Sequence, residues 1–145
     1  MMDTGYFELD MLPAKCAFSY IYDKARKGYR TNIFSIDAKG SGAGGAFTTA
    51  VDVEKFWDAL LSGSLVSPQM LQIMFAPQVE ENCYGYGVWL LDGKIPSFQG
   101  CDPGVNFITS LDVKNGVSIT ILCNVDCNVE KLHKNLTNYL DTNTE

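Results

Sequence analysis

The residues able to do chemistry are few and widely spaced: one histidine, five cysteines and 17 carboxylates in 145 residues. Cys101 follows a glycine in the stretch SFQGCDPGVNF, Ser97 to Phe107, where a turn would expose its thiol. A thiol nucleophile needs a base within hydrogen-bond reach. The only histidine, His133, sits in a distant helical pattern, with nothing in the sequence to place it near. It falls four residues after Val129, close to that helix's apolar face, where a satisfied boundary residue is commoner than a base. Cys123 and Cys127 form CNVDC, but no second Cys or His pair completes a zinc set. Gly40, Gly42 and Gly45 in GSGAGG keep the GxGxxG spacing. A dinucleotide site needs a βαβ unit and an acidic residue about 20 positions on. Helices and then antiparallel-type strands follow instead, so this reads as a close-packed loop. Asn135-Leu136-Thr137 matches a glycosylation acceptor, but Leu136 lies in a helical apolar stripe. No metal and no cofactor is implied.

Elements must position whatever chemistry there is. Apolar residues make up 46% of the chain and charged residues 19%, the composition of one globular domain, residues 1–145. The net charge of -6 argues against nucleic acid, whose phosphates need clustered Lys and Arg. The one dense basic stretch, KARKGYR at Lys24 to Arg30, reads as a solvated turn. No apolar run reaches the ~18–20 residues of a membrane helix. The first ten residues, MMDTGYFELD, lack the blocks of a signal peptide. An odd number of scattered cysteines is unlike a secreted disulfide framework, so a cytoplasmic location is expected.

CAFSYIYD and YRTNIFSID read as a hairpin around a Lys/Arg/Gly turn. TTAVDVEKFWDALLSG predicts a helix that starts with a capping-box-like Thr49 and Asp52 and stops at Gly63. SPQMLQIMF predicts a second, short helix with Ser67 as cap and Pro68 in the first turn. Three strands follow, YGYGVWLL, VNFITSLDV and VSITILCN, with KIPSF pairing back on the first and Asn115-Gly116 turning between the last two. A final helix groups Val129, Leu132, Leu136, Tyr139 and Leu140 on one face. The fold class is α+β, an antiparallel sheet packed with helices. Both faces of that sheet look apolar, and the C-terminal helix can cover only one.

The segment GAGGAFTTAVDVEKFWDALLSGSLVSPQMLQIMFAP resembles one found in the serine β-lactamase and penicillin-binding-protein family, especially its class C and esterase-like branch. YGYGVWL is similar to that family's glycine-rich strand, FQGCDPGVNFITSLDVKNGVSITILCN to its final sheet hairpin, and MMDTGYF to the run that ends its helical insertion. The resemblance covers nearly all of this chain but about the C-terminal half of a family member, and implies part of that fold.

It also implies where a site would lie. The family's third motif, Lys-Thr-Gly or His-Thr-Gly, falls on Phe98, Gln99 and Gly100, of which only the glycine matches. A cleft remnant is expected to be lined by Phe98, Gln99, Gly100, Asp102 and Asn106. A phenyl ring replaces the cation that would hold a substrate carboxylate. No serine in the chain has a lysine three residues later, and neither Tyr-x-Asn nor Ser-x-Asn occurs. Without nucleophile and base the acyl-serine route is closed, so no catalytic residue is assigned and the chain is expected to be inactive alone. Two readings follow: the C-terminal part of a serine hydrolase acting on a β-lactam, peptide or ester, or a non-catalytic module that binds a ligand or protein. The expected partner is a second copy, through the strands around Tyr84 to Leu91 and the glycine-rich loop, or the missing N-terminal half.

Overall fold

The computed structural model describes residues 1–78 and 83–143. A two-stranded hairpin, β1 (Tyr20–Asp23) and β2 (Gly28–Thr31), comes first, followed by two helices, α1 (Ala50–Leu61) and α2 (Pro68–Met74). Strands β3 (Trp89–Leu91), β4 (Ile95–Asp102), β5 (Val105–Asp112) and β6 (Val117–Cys123) then form an antiparallel meander in that order, and α3 (Val129–Asn143) ends the chain. The architecture is α+β, as the sequence implies.

Helix α1 starts where the sequence places it. Thr49 is extended and its hydroxyl accepts the Asp52 N–H at 3.2 Å. Its period of apolar residues turns Val53, Trp57 and Leu60 onto Leu111 of β5, with Phe56, Leu71 and Met74 around them. The indole N–H of Trp57 donates to Thr109 Oγ1 at 2.8 Å, and Thr109 in turn shares a 2.8 Å bond with Thr120 of β6. On the other face, Val129 of α3 packs with Ile108 and Ile121. Successive strand residues alternate faces. Thr109 and Leu111 therefore meet α1, while Ile108 and Ser110 meet α3.

The two-sided sheet thus finds its second layer inside the chain. α1 supplies what the sequence left unassigned, so an apolar second face is no longer evidence for an absent layer. Helix α3 also turns differently from the expected stripe. Val129 and His133 are buried, while Leu132, Leu136 and Tyr139 are 46%, 39% and 65% exposed.

YGYG is a turn rather than the start of a strand. Gly85 N–H bonds Val88 O, Tyr86 N–H bonds Met74 O, and a Cβ on Gly85 would fall 2.2 Å from Met74 O. Only Trp89–Leu91 pairs with β4, across the Asp92-Gly93 turn, where both φ values are positive as a primed turn requires. Val88 and Leu90 are buried and Trp89 is exposed, while Leu91, on the Trp89 face, is half-buried against Ile108, Ile121 and Val129, so both faces carry apolar contacts. The β1–β2 hairpin is shorter than the sequence implies: its register ends at Tyr20 and Thr31, beyond which Asn32 N–H still reaches Ser19 O while its side chain turns to Pro103 O. The basic residues Lys24 to Lys27 form its exposed turn.

Removing the indole while keeping a ring isolates the Trp57–Thr109 bond. Trp57→Phe is expected to cost about 1–2 kcal/mol, since Thr109 keeps Thr120 as a partner. Trp57→Ala is expected to cost about 3–5 kcal/mol. Urea unfolding checks both as lowered midpoints with an unchanged m value.

Candidate functional site

The stretch Ser97 to Phe107 is a tight hairpin turn gripped from three sides. Asp102 and Val105 are cross-strand partners, leaving Pro103 and Gly104 as the loop. Gly104 has φ +80°, the type II arrangement that Pro followed by Gly favours. A Cβ there would lie 2.9 Å from the carbonyl of Tyr20, so the turn sits directly on β1. The buried Asn32 donates from Nδ2 to Pro103 O at 3.0 Å, and Gly104 N–H donates to Asp126 Oδ1 at 2.9 Å. These contacts come from β1, from the residue after β2, and from the β6–α3 loop.

Beside that turn lies an open sheet edge. β3 pairs with β4 only as far as Ser97, so among the described residues Phe98 to Asp102 have β5 on one side and no strand on the other. In a two-residue hairpin the pair flanking the turn exchanges hydrogen bonds, and the pairs alternate from there. Asp102, Gly100 and Phe98 accordingly bond to β5. Gln99 and Cys101 turn their backbone N–H and C=O groups outward, to the open edge.

The five expected site residues divide between the two faces. Phe98, Gly100 and Asp102 share the α1 face, with Phe107 across from Gly100. Gln99 and Asn106 lie on the α3 face. Asn106 Oδ1 accepts the Cys127 N–H at 3.3 Å and borders a depression of about 480 Å³ with Asp126, Asn128 and Glu130. Gly100 is exposed, and a Cβ there would press on the Phe107 ring at 3.1 Å.

Phe98 is a core residue. Its ring centroid lies 5.0 Å from that of Trp57 and 5.4 Å from that of Phe56, the latter edge-on. Such ring pairs add about 0.5–1.5 kcal/mol beyond the area they bury. The position where the resemblance implies a cation is therefore occupied by part of the α1–sheet contact.

The serine and histidine present are not offered to a ligand. Ser110 Oγ and His133 Nε2 lie 2.6 Å apart, but both residues are buried, as is Ser97 directly across from Ser110. Burial pulls the His133 pKa below its ordinary 6.5, which leaves the ring neutral between α3 and the sheet. His133 is the satisfied residue its place near the apolar face implies.

One anchor escaped the sequence reading. Asp52 was a helix-cap residue there, but its carboxylate is buried and joins two distant segments. Oδ2 accepts the Asp3 N–H at 2.8 Å and the Thr4 hydroxyl at 2.9 Å, and Oδ1 accepts from Lys55 Nζ at 2.9 Å. The Thr4 and Thr48 hydroxyls also touch, and Gly5 bridges to Phe47. The signal was available: Asp-Thr-Gly at the start and Thr-Thr-Ala-x-Asp before α1 are two of the motifs that carry the resemblance, and they bind each other.

No protein-family model matches the chain. A Bacillus subtilis (strain 168) protein named "Putative penicillin-binding protein PbpX" is 37% identical over 81 residues, 56% of this chain and 20% of that protein. The crystal structure of a penicillin binding protein from Bacillus halodurans superposes with a TM-score of 0.83 at 33% identity, covering 94% of this chain and 44% of that one. The chain spans less than half the length of either relative.

Two outcomes are expected of this site. Phe98→Ala is expected to cost about 2–4 kcal/mol in urea unfolding, the loss of a packed ring rather than of a binding group. The second concerns pH. The Lys55 hydrogen bond, against the pull of burial and with help from the Asp3 N–H and the Thr4 hydroxyl, holds the Asp52 carboxyl well below its ordinary 3.8. A carboxyl depressed in the fold stabilises it above the unfolded value, and that contribution is lost as pH falls below 3.8 toward the folded one. Stability measured across the acid range is expected to drop there, and Asp52→Asn to flatten that part of the curve.

Proposed function

The chain belongs to the penicillin-binding-protein and β-lactamase-like family, and we propose that it serves as the C-terminal part of a serine hydrolase of that fold. In this reading the chain contributes the sheet edge of an acyl-transfer cleft, and the nucleophile comes from a segment with Ser-x-x-Lys. The parent enzyme opens a β-lactam, peptide or ester through an acyl-serine. The observation that carries the reading is the open β4 edge, held beside the Pro103–Gly104 turn in a chain whose described elements follow one portion of a penicillin-binding protein.

The chemistry of that edge is backbone chemistry. The outward N–H groups of Gln99 and Cys101 are preorganised donors for a carbonyl oxygen that gains charge in the transition state. One such donor is worth about 2.7–4 kcal/mol in acyl transfer. Gly100 leaves the α1 face bare beside them, and Asp102 adds a carboxylate at the turn. Phe98, committed to the core, places no cation there, so affinity for substrate carboxylates is low. The cleft residues of this reading are therefore Phe98 as floor, Gly100 and Asp102, with Gln99 acting through its main chain. Asn106 acts by holding the neighbouring loop.

A specific observation favours a second reading. Because α1 covers the sheet from within the chain, the fold has two layers of its own, as a self-sufficient binding module would. Against that stand the exposed Leu132 and Leu136 on α3 and the outer edge of β6, which has a strand partner on one side only. Open edges and apolar faces of this kind pair with another segment or copy. The β3 side expected for such pairing is already occupied: Leu90 N–H bonds Cys83 O and Tyr84 bridges Trp89.

The purified chain is expected to show no hydrolysis of nitrocefin or p-nitrophenyl acetate above a buffer control. Saturable turnover, lost in a serine or cysteine point variant, would overturn the claim that the nucleophile lies elsewhere. Light scattering is expected to give a dimer or larger assembly built on β6 and α3, and a stable monomer at high concentration would favour the self-sufficient module.

A further inference from the structure

Five free thiols are left without a role by the reading above, and two of them, those of Cys123 and Cys127, belong to residues that meet at Asn106. Cys123 closes β6, and Cys127 stands two residues before α3. Asn106 of β5 ties both to one place. It is the direct cross-strand partner of Cys123, and its Oδ1 accepts the Cys127 N–H at 3.3 Å. The loop between them is fixed independently of the thiols. Tyr20 N–H donates to Asn124 O at 2.9 Å, Asn124 Nδ2 donates to Phe18 O at 3.0 Å, and Asp126 Oδ1 accepts from Gly104 N–H. This closure sets the two cysteines side by side at Asn106. The neighbouring Cys127 thiol, with partial burial, pushes the Cys123 thiol up to about 11. Cys127 is exposed and Cys123 half-buried, so one member is open to attack from solvent and the other is screened behind it.

We propose that Cys123 and Cys127 form a reversible dithiol–disulfide site, oxidised by low-molecular-weight disulfides. The Cys127 thiolate, the accessible member, attacks one sulfur of the small disulfide. The S–S bond breaks, one small thiolate leaves and takes up a proton, and a mixed disulfide remains on Cys127. The mixed disulfide on Cys127 now stands beside Cys123 in the same loop. Cys123 then gives up its proton and attacks the Cys127 sulfur, expelling the second small thiolate, which is protonated in turn. The protein loses two electrons and two protons, and the small disulfide gains both. Cys101 also faces Asn106, from the far side of β5, but it approaches from the β4 edge and lies outside the loop that closes on Cys127. The product is a disulfide within the loop that holds the Pro103–Gly104 turn and the start of β1. The inference rests on the loop that brings both cysteines to Asn106 and stands whether or not the chain belongs to a hydrolase.

The whole chain is incubated with oxidised glutathione, quenched in acid, labelled with N-ethylmaleimide and cleaved at lysine. The peptide running from Asn115 to Lys131 is expected to lose the mass of two hydrogens and both labels, while Cys16, Cys83 and Cys101 stay labelled. In Cys123→Ser, which keeps the attacking thiol, a glutathione adduct is expected to accumulate and persist on Cys127. In Cys127→Ser, Cys123 is expected to remain labelled over the same time. A stable adduct on Cys127 of the unaltered chain, a bridge from Cys127 to Cys101, or full labelling at both positions would overturn the proposal.

Discussion

One hydrogen bond, from the Trp57 indole to Thr109, fixes how the only long apolar helix before the sheet meets its central strand. A buried indole N–H must find an acceptor or cost about 1–3 kcal/mol, and Thr109 is the residue that offers one on that face. With Trp57 so placed, Val53 and Leu60 fall on Leu111, and Phe98 closes the cluster from β4. The sheet's α1 face is thus set by a single polar register inside an apolar contact. The β4 edge is placed by that contact, with the Phe98 ring packed on Trp57 and Phe56.

A second constraint holds the periphery. Asp52 ties the chain's first residues to the start of α1, while Asn32 and Asp126 grip the turn at Pro103 and Gly104. Each is a polar side chain spending its acceptors or donors on main chain far away in sequence. Loops tied in this way can present backbone N–H groups at a fixed place without any catalytic side chain. That division explains how family-like geometry persists where the family's charged groups do not.

Much of this was legible from residue types alone. Helix starts were, because Thr49 and Ser67 cap in the way their chemistry demands, and so were the hairpin at Asn115-Gly116 and the turn at Lys24 to Lys27. The hairpin at Asn115 uses a four-residue loop organised by the Asp112 carboxylate, which accepts from Lys114 N–H, Asn115 N–H and Asn115 Nδ2. Other features were out of reach for physical reasons. A helical period with apolar residues all along leaves the buried face of α3 open between Leu132 or Leu136 and His133, and packing on Ser110 decided it. YGYG reads as a strand until Gly85 is seen to touch Met74 O, a contact between segments. The packing of the Phe98 ring on Trp57 was also out of reach, across a strand-to-helix distance no spacing rule encodes. Asn32 read as a strand residue and Asp52 as a cap because their partners lie 71 and 49 positions away.

In the proposed reading, the chain supplies the edge of an acyl-transfer site and not its reactive groups, and Ser97 of β4 and Ser110 of β5 are both buried. The central claim is that no side chain of this chain can be acylated by a family substrate. The most direct measurement is the intact mass of the chain after prolonged incubation with excess benzylpenicillin. The unmodified mass is the predicted result, and a penicilloyl adduct on any serine would contradict the account.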